Sequence, residues 1–163
     1  MIFRITAKLG KKIGVTPSQV LPADLNPFTD WSARLFRADR TQYILITNTA
    51  SLYSVVTYGK GITSGCGFLD RATSCIGEFM RDDGHEFFHQ RFVVPATGRA
   101  WFSKALNHAV TGSMNDMEYN AKFHLASGEV PPYDVSFLLN RIPMSTIGYQ
   151  SPRQALQALK PLA

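Results

Sequence analysis

Hydrophobic residues along this chain follow two different spacings, one typical of strands and the other of helices. Between positions 32 and 58, three short runs rich in Ile, Val, Leu and Tyr alternate with polar turns. Such runs predict an antiparallel meander. Its middle run is apolar on both faces at 43–46, which predicts a central strand. The three predicted strands are 32–37, 42–47 and 52–58.

Helical spacing and end signals predict the other elements. Residues 2–6 are expected to form a first strand, and 7–13 a short helix. Between 68 and 82, apolar residues recur at helical spacing, which predicts a long helix. Near the end of the chain, Ser-Pro-Arg-Gln at 151–154 matches a capping box with proline at the first helical position. It predicts a helix over 155–160.

Residues 112–120, Gly-Ser-Met-Asn-Asp-Met-Glu-Tyr-Asn, combine small, amide, acidic and sulfur side chains. Ser113 followed by Asp116 resembles a capping box, and apolar residues at helical spacing follow it. The pattern predicts a helix over 114–126 whose N-terminus lies at Ser113. Because free N–H groups and the helix dipole favour anions there, this stretch is a candidate binding site. Alternatively, these side chains only cap a helix that packs in the core.

Together these elements predict an α+β fold in a single domain spanning residues 1–163. The sheet is expected to be small and antiparallel, formed by the N-terminal strand and the meander. Helices from the C-terminal half are expected to cover it. A chain of 163 residues can bury a core without disulfides or metal.

The composition excludes membrane, disordered and disulfide-stapled classes. The chain is 45% hydrophobic and 18% charged, with no apolar run of the length that a bilayer span requires. Its start does not have the pattern of a signal peptide. Cys66 and Cys75 do not amount to a disulfide framework. We therefore expect a cytoplasmic protein without a membrane partner.

The formal net charge of +5 is concentrated in the first part of the chain. Residues 1–60 contain eight basic and three acidic side chains, whereas the remainder contains nine of each sign. A basic N-terminal third favours a polyanionic partner such as nucleic acid. A solvated basic surface is the alternative.

Residues 85–89, His-Glu-Phe-Phe-His, match the H-E-x-x-H pattern of zinc hydrolases. On a helix, His85 and His89 would lie on one face to bind zinc, with Glu86 as general base. However, the stretch follows a glycine, and no further ligand lies at a diagnostic spacing. The alternative is a pair of surface histidines that flank two buried phenylalanines.

Three stretches resemble an uncharacterised bacterial family of domains of unknown function. They are the opening Met-Ile-Phe-Arg-Ile-Thr-Ala-Lys-Leu, the central Gly-Ser-Met-Asn-Asp, and Asn-Arg-Ile-Pro-Met-Ser at 140–145 with Gly148 and Tyr149. The resemblance covers nearly the whole chain and implies no known activity, and H-E-x-x-H is not one of the family's features. It implies a set of candidate site residues, which are Asn107, Ser113, Asn115, Asp116 and Arg141.

From these observations we predict a binding or regulatory module for an anionic ligand or nucleic acid, with no cofactor. Arg141 could reach a phosphate or carboxylate, and the chain is long enough to return it to hydrogen-bonding distance of Asp116. Two other classes remain open. One is an enzyme, either a zinc hydrolase or an activity that uses Asp116 and His108. The other is a structural or interaction subunit, which could form a homo-oligomer.

Overall fold

A five-stranded sheet forms the centre of the fold in the computed structural model, which describes residues 1–162. The strands are β1 (Ile2–Ile5), β2 (Asp30–Ala38), β3 (Thr41–Asn48), β4 (Ser54–Tyr58) and β5 (Trp101–Ser103). Their order across the sheet is β4-β3-β2-β1-β5. The helices are α1 (Ala7–Ile13), α2 (Gly65–Asp82), α3 (Glu86–Phe88), α4 (His108–Leu125), α5 (Pro132–Leu139) and α6 (Pro152–Ala158). None of these described helices is long and apolar enough to cross a membrane.

The α+β fold class and the meander are confirmed. Strands β2, β3 and β4 pair antiparallel. The β2–β3 hairpin turns through Asp39 and Arg40, whose φ angles are 46° and 67°. Two successive positive φ angles give the two-residue turn whose twist matches the flanking strands. Ser151 and Gln154 form the expected capping box at the start of α6.

The sheet is mixed, so the prediction of a purely antiparallel sheet is wrong. Strand β1 runs parallel to β2 on one side and to β5 on the other. Between β1 and β2 the chain passes through α1 and a long connection, and parallel neighbours require such a crossover. Turn signals within residues 14–29 do not specify the direction in which the chain returns.

Helices cover both faces of the sheet, which corrects the expectation of cover from the C-terminal half alone. One face carries Trp31 and Ala33 of β2 and packs against α1, α2 and α6. The other face carries Phe36 and Leu45 and packs against α4 and α5. Strands that are apolar on both faces need a layer of helices on each side. Helices α1 and α2 therefore supply a layer that the sequence interpretation had left out.

Helix α5 lies along the outer edge of β4 and replaces a neighbouring strand. Ser136 Oγ accepts a hydrogen bond from the Val56 amide at 2.8 Å. Asn140 Oδ1 accepts from the Ser54 amide at 2.8 Å, and Asn140 Nδ2 donates to the Ser54 carbonyl at 2.7 Å. These bonds pair backbone groups that an open sheet edge would leave free.

Candidate functional site

Helix α4 begins at His108, and the prediction of a helix start at Ser113 is wrong. The capping residue is Asn107, whose Oδ1 accepts the Val110 amide at 3.0 Å. Ser113 lies inside the helix, where its hydroxyl bonds to the Ala109 carbonyl at 3.0 Å. Both Asn107 and Ser113 are residue types that cap helices, and packing of the longer helix selected the earlier one. The stretch 113–116 therefore has no free helix-terminal N–H groups to offer an anion.

The outer side of α4 forms a groove together with the turn at residues 142–149. The groove has a volume of about 760 Å³. Its two walls meet at a hydrogen bond of 2.7 Å between Ser113 Oγ and Thr146 Oγ1. The Gly-Ser-Met-Asn-Asp and Pro-Met-Ser stretches thus lie on opposite walls of one depression. The hydrogen-bonding side chains that line it are His108, Ser113, Asn115, Asp116, Asn120, Ser145, Thr146 and Tyr149.

Asp116 supplies the only carboxylate among the described lining residues. It is exposed and takes part in none of the ion pairs within residues 1–162. The neighbouring acid Glu118 behaves differently, with Lys122 at 2.7 Å and Arg34 at 3.2 Å. Burial alone would raise the pKa of Glu118, but hydrogen bonds from Lys122 and Arg34 outweigh it and lower that pKa. Asp116 is therefore the carboxylate that is available to accept a hydrogen bond from a ligand.

Asn115 is oriented from below by an arginine of the sheet. Arg34 of β2 donates through Nη1 to Asn115 Oδ1 at 2.5 Å and through Nη2 to the Thr111 carbonyl at 3.1 Å. The Asn115 Oδ1 atom is thus engaged by Arg34, and the amide NH₂ group has donors that a ligand could use. Arg34 thereby ties α4 to the sheet.

Arg141 does not belong to this groove. It is exposed and absent from the described lining. No ion pair joins it to Asp116 within the described chain, so the expected contact between these residues is wrong. The preceding residue, Asn140, is 1% exposed and anchored to Ser54 of β4. This anchor holds the chain at the sheet edge, and Arg141 follows it on the surface.

The model of the domain of unknown function DUF6933 matches residues 2–155. The chain belongs to this family. The resemblance to an uncharacterised family is therefore confirmed, and the matched range includes both walls of the groove. No curated protein matches the chain. The DUF6933 family description names no activity.

In this DUF6933 chain, the His-Glu-Phe-Phe-His stretch does not form a zinc helix. His85 is 2% exposed, and its Nε2 lies 3.4 Å from Asp83 Oδ2. The His89 ring instead lies against Gly77 of α2, where a Cβ would approach Nε2 to 2.8 Å. Among residues 1–162, no group of three or more His, Cys, Asp and Glu side chains is placed to hold a metal. The alternative of surface histidines around buried phenylalanines is also wrong, because His85 is buried and Phe87 is 70% exposed.

A buried polar cluster around Asp83 was missed by the sequence interpretation. Tyr53 donates its hydroxyl to Asp83 Oδ2 at 2.8 Å, and Arg153 Nε lies 3.3 Å from Oδ1. Burial by itself would raise the pKa of Asp83, but His85, Tyr53 and Arg153 outweigh it and lower that pKa. Tyr53 and Arg153 are far from Asp83 in sequence, and no local pattern connects them with it. The cluster joins the C-terminus of α2 to the start of α6.

The basic N-terminal third exposes less charge than its composition suggests. Arg4 is 2% exposed and forms two bonds with Asp30, Nε to Oδ1 at 2.8 Å and Nη2 to Oδ2 at 2.7 Å. Arg34 is 8% exposed and is engaged by α4. Two of the eight basic residues are thus internal ties and cannot contribute to a polyanion-binding face.

Proposed function

We propose that this protein is a binding module for a small polar molecule and that the groove between α4 and residues 142–149 is its binding site. One observation carries the proposal. Hydrogen-bonding side chains from two separate sequence motifs converge on one open groove, in which the Asp116 carboxylate has no ion-pair partner within residues 1–162. A volume of about 760 Å³ lies in the usual range for small-molecule sites.

The ligand class follows from the charges of the groove. No Lys or Arg side chain is found among its described lining residues, and its one carboxylate is Asp116. An amine, an amidine or the donor edge of a nucleoside or sugar suits this lining, because each can donate to Asp116. The anion expected from the sequence is poorly matched here, since the groove carries the Asp116 carboxylate and no Lys or Arg side chain, Arg141 included, is among its described lining residues.

We assign binding rather than a reaction to this groove. The hydroxyl of Ser113 is engaged by Ala109 and Thr146. An activated nucleophile requires a hydrogen bond to a titratable base. No hydrogen bond in the described chain joins the Ser113 hydroxyl to such a base, His108 included. His108 and Asp116 both line the groove, and in our proposal they orient the ligand.

Ligand screening by protein NMR tests the proposal. We would titrate nucleosides, amino sugars and aliphatic diamines and follow the backbone amides. A binder should shift amides of 108–120 and 142–149. Asp116→Asn should weaken it about tenfold, the size expected for losing a charge-assisted hydrogen bond. The matched control is Asp70→Asn, which removes the same charge from an exposed position of α2.

Two outcomes would contradict the proposal. One is a binder whose shifts lie outside both walls of the groove or whose affinity is unchanged by Asp116→Asn. The other is salt-sensitive retention on DNA with no response to any compound of the panel. That second result would favour the polyanion partner, for which the described surface gives no specific support.

A further inference from the structure

A second cavity, of about 640 Å³, lies at the carboxyl ends of the parallel strands β1 and β5. Ile5, Thr6 and Ala7 line it directly where β1 ends, and Lys104 and Ala105 line it directly after β5. It shares no lining residue with the groove between α4 and residues 142–149. The cavity is therefore a separate place on the molecule.

The topology of the sheet creates this cavity. After β1 the chain enters α1, which packs on one face of the sheet, whereas after β5 it leads to α4 on the other face. When neighbouring parallel strands send their connections to opposite faces, a crevice opens beyond their carboxyl ends. Ligands of open α/β sheets characteristically bind in such crevices.

The outer wall of the cavity is held in place by backbone contacts. Residues 15–17 form this wall. The Val15 amide donates to the Gly10 carbonyl at 2.9 Å, and a Cβ at Gly10 would lie 2.4 Å from the Val15 oxygen. Further along, the Lys104 amide donates to the Gln19 carbonyl at 3.0 Å. Because the wall is tied on both sides, the cavity is formed before any ligand arrives.

The chemistry of the lining is apolar with two positive charges. Ile5, Val15 and Pro17 supply apolar surface, while Lys11 and Lys104 supply the charges. No acidic side chain belongs to the described lining. Neither lysine side chain takes part in an ion pair within residues 1–162. Two free ammonium groups beside an apolar hollow attract an anionic head on an apolar body.

We propose that this cavity binds an amphipathic organic anion, in which a carboxylate, phosphate or sulfonate is carried by an apolar group. The anionic head lies between Lys11 and Lys104, and the apolar group packs on Ile5, Val15 and Pro17. In this proposal an anionic ligand binds at the sheet and not in the groove between α4 and residues 142–149.

The test uses 8-anilinonaphthalene-1-sulfonate, an aromatic sulfonate whose fluorescence rises when it binds. We expect the wild-type protein to bind it with amide shifts at residues 5–7, 15–17 and 104–105. Lys11→Gln combined with Lys104→Gln should weaken binding about tenfold. The control pair, Lys60→Gln with Lys160→Gln, removes the same net charge from exposed positions elsewhere and should bind like wild type.

A second variant separates the cavity from simple charge attraction. Ala105→Phe fills the cavity from its exposed rim and keeps both lysines, so it should abolish the fluorescence rise. Far-UV circular dichroism checks that each variant is folded. Unchanged binding by Ala105→Phe would overturn the proposal, and so would equal weakening by both lysine pairs. Inorganic sulfate that displaces the dye at equal concentration would also overturn it, since the apolar group would then contribute nothing.

Discussion

Asp83 is a nearly buried carboxylate that is surrounded by three polar side chains. It is 9% exposed and accepts from the Tyr53 hydroxyl, with Arg153 and His85 close by. Burial favours the protonated acid, whereas the surrounding donors favour the carboxylate. The effect of the donors is the larger, so the pKa of Asp83 lies below its usual value. A folded-state pKa below the unfolded one means that ionised Asp83 stabilises the fold.

The stabilisation that Asp83 provides should depend on pH. The contribution of Asp83 is fully present above its unfolded pKa and is lost as pH falls through its lowered folded pKa. Asp83→Asn should therefore reduce the free energy of unfolding at pH 7, and the difference from wild type should shrink at pH 3. Urea unfolding at both pH values measures this. Asp70→Asn, on an exposed site, should change neither value much. An Asp83→Asn deficit that stays constant down to pH 3 would show that the carboxylate charge is not the cause.

At the residue scale, the sequence led to part of the candidate groove and stopped there for a physical reason. Ser113, Asn115 and Asp116 line it. These residues could be predicted because local periodicity indicates both their helix and its outward face. Asn107 proved to be a cap and Arg141 a surface residue. Several capping residues near one helix start satisfy the same local rule, and only tertiary packing selects among them.

Among the elements, α5 both packs against one face of the sheet and bonds to its edge strand. Its apolar residues Val135 and Leu139 pack under the sheet, while Ser136 and Asn140 bond to the edge of β4. Side chains four residues apart on a helix lie on one face, so they can reach alternate backbone groups of a strand. The helix thereby closes an edge that would otherwise invite another chain to pair.

Replacement of Asn140 should weaken the attachment of α5 to β4. Asn140→Ala leaves the buried amide and carbonyl of Ser54 without partners, which should lower the free energy of unfolding by about 2–4 kcal/mol. Amide exchange at Ser54 should accelerate, whereas Val56, held by Ser136, should be less affected. The adjacent exposed Arg141→Ala is the control and should cost almost nothing. Equal effects of the two substitutions would mean that α5 does not depend on these bonds for its position.

Elements with strong local signals were predictable, and their arrangement was not. The hairpins of the meander, α1 and the capping box of α6 all depend on residues near in sequence. The direction of β1 relative to β2 depends on the path of residues 14–29, which contain no regular repeat. The position of β5 beside β1 depends on a connection of still greater length. Local periodicity contains no information on such long-range pairing.

For the whole molecule, one buried ion pair ties the long connection after α1 to the sheet. Arg4 binds Asp30 at 2.7 Å and also donates to the carbonyls of Leu21 and Pro22 at 2.8 and 3.0 Å. Its Nη1 reaches Ser103 Oγ at 3.2 Å. A planar guanidinium with five donors can serve all these acceptors together, which lysine cannot. Strands β1, β2 and β5 and the connection after α1 are thus joined through one side chain.

Replacement of Arg4 should therefore act on more than stability. Arg4→Met leaves Asp30 buried with an uncompensated charge, and such a loss typically costs about 3–5 kcal/mol. Hydrogen exchange should increase in residues 15–26, because the Leu21 and Pro22 carbonyls of that connection lose their donor. The exposed Arg37→Met on β2 is the matched control and should leave both properties unchanged. Arg4→Lys keeps the charge without the planar guanidinium, so its effect should be intermediate.

If Arg4→Met is folded and less stable but its hydrogen exchange over 15–26 is unchanged, the ion pair supports the strands alone. The position of the connection would then have to come from the Lys104–Gln19 and Val15–Gly10 backbone bonds.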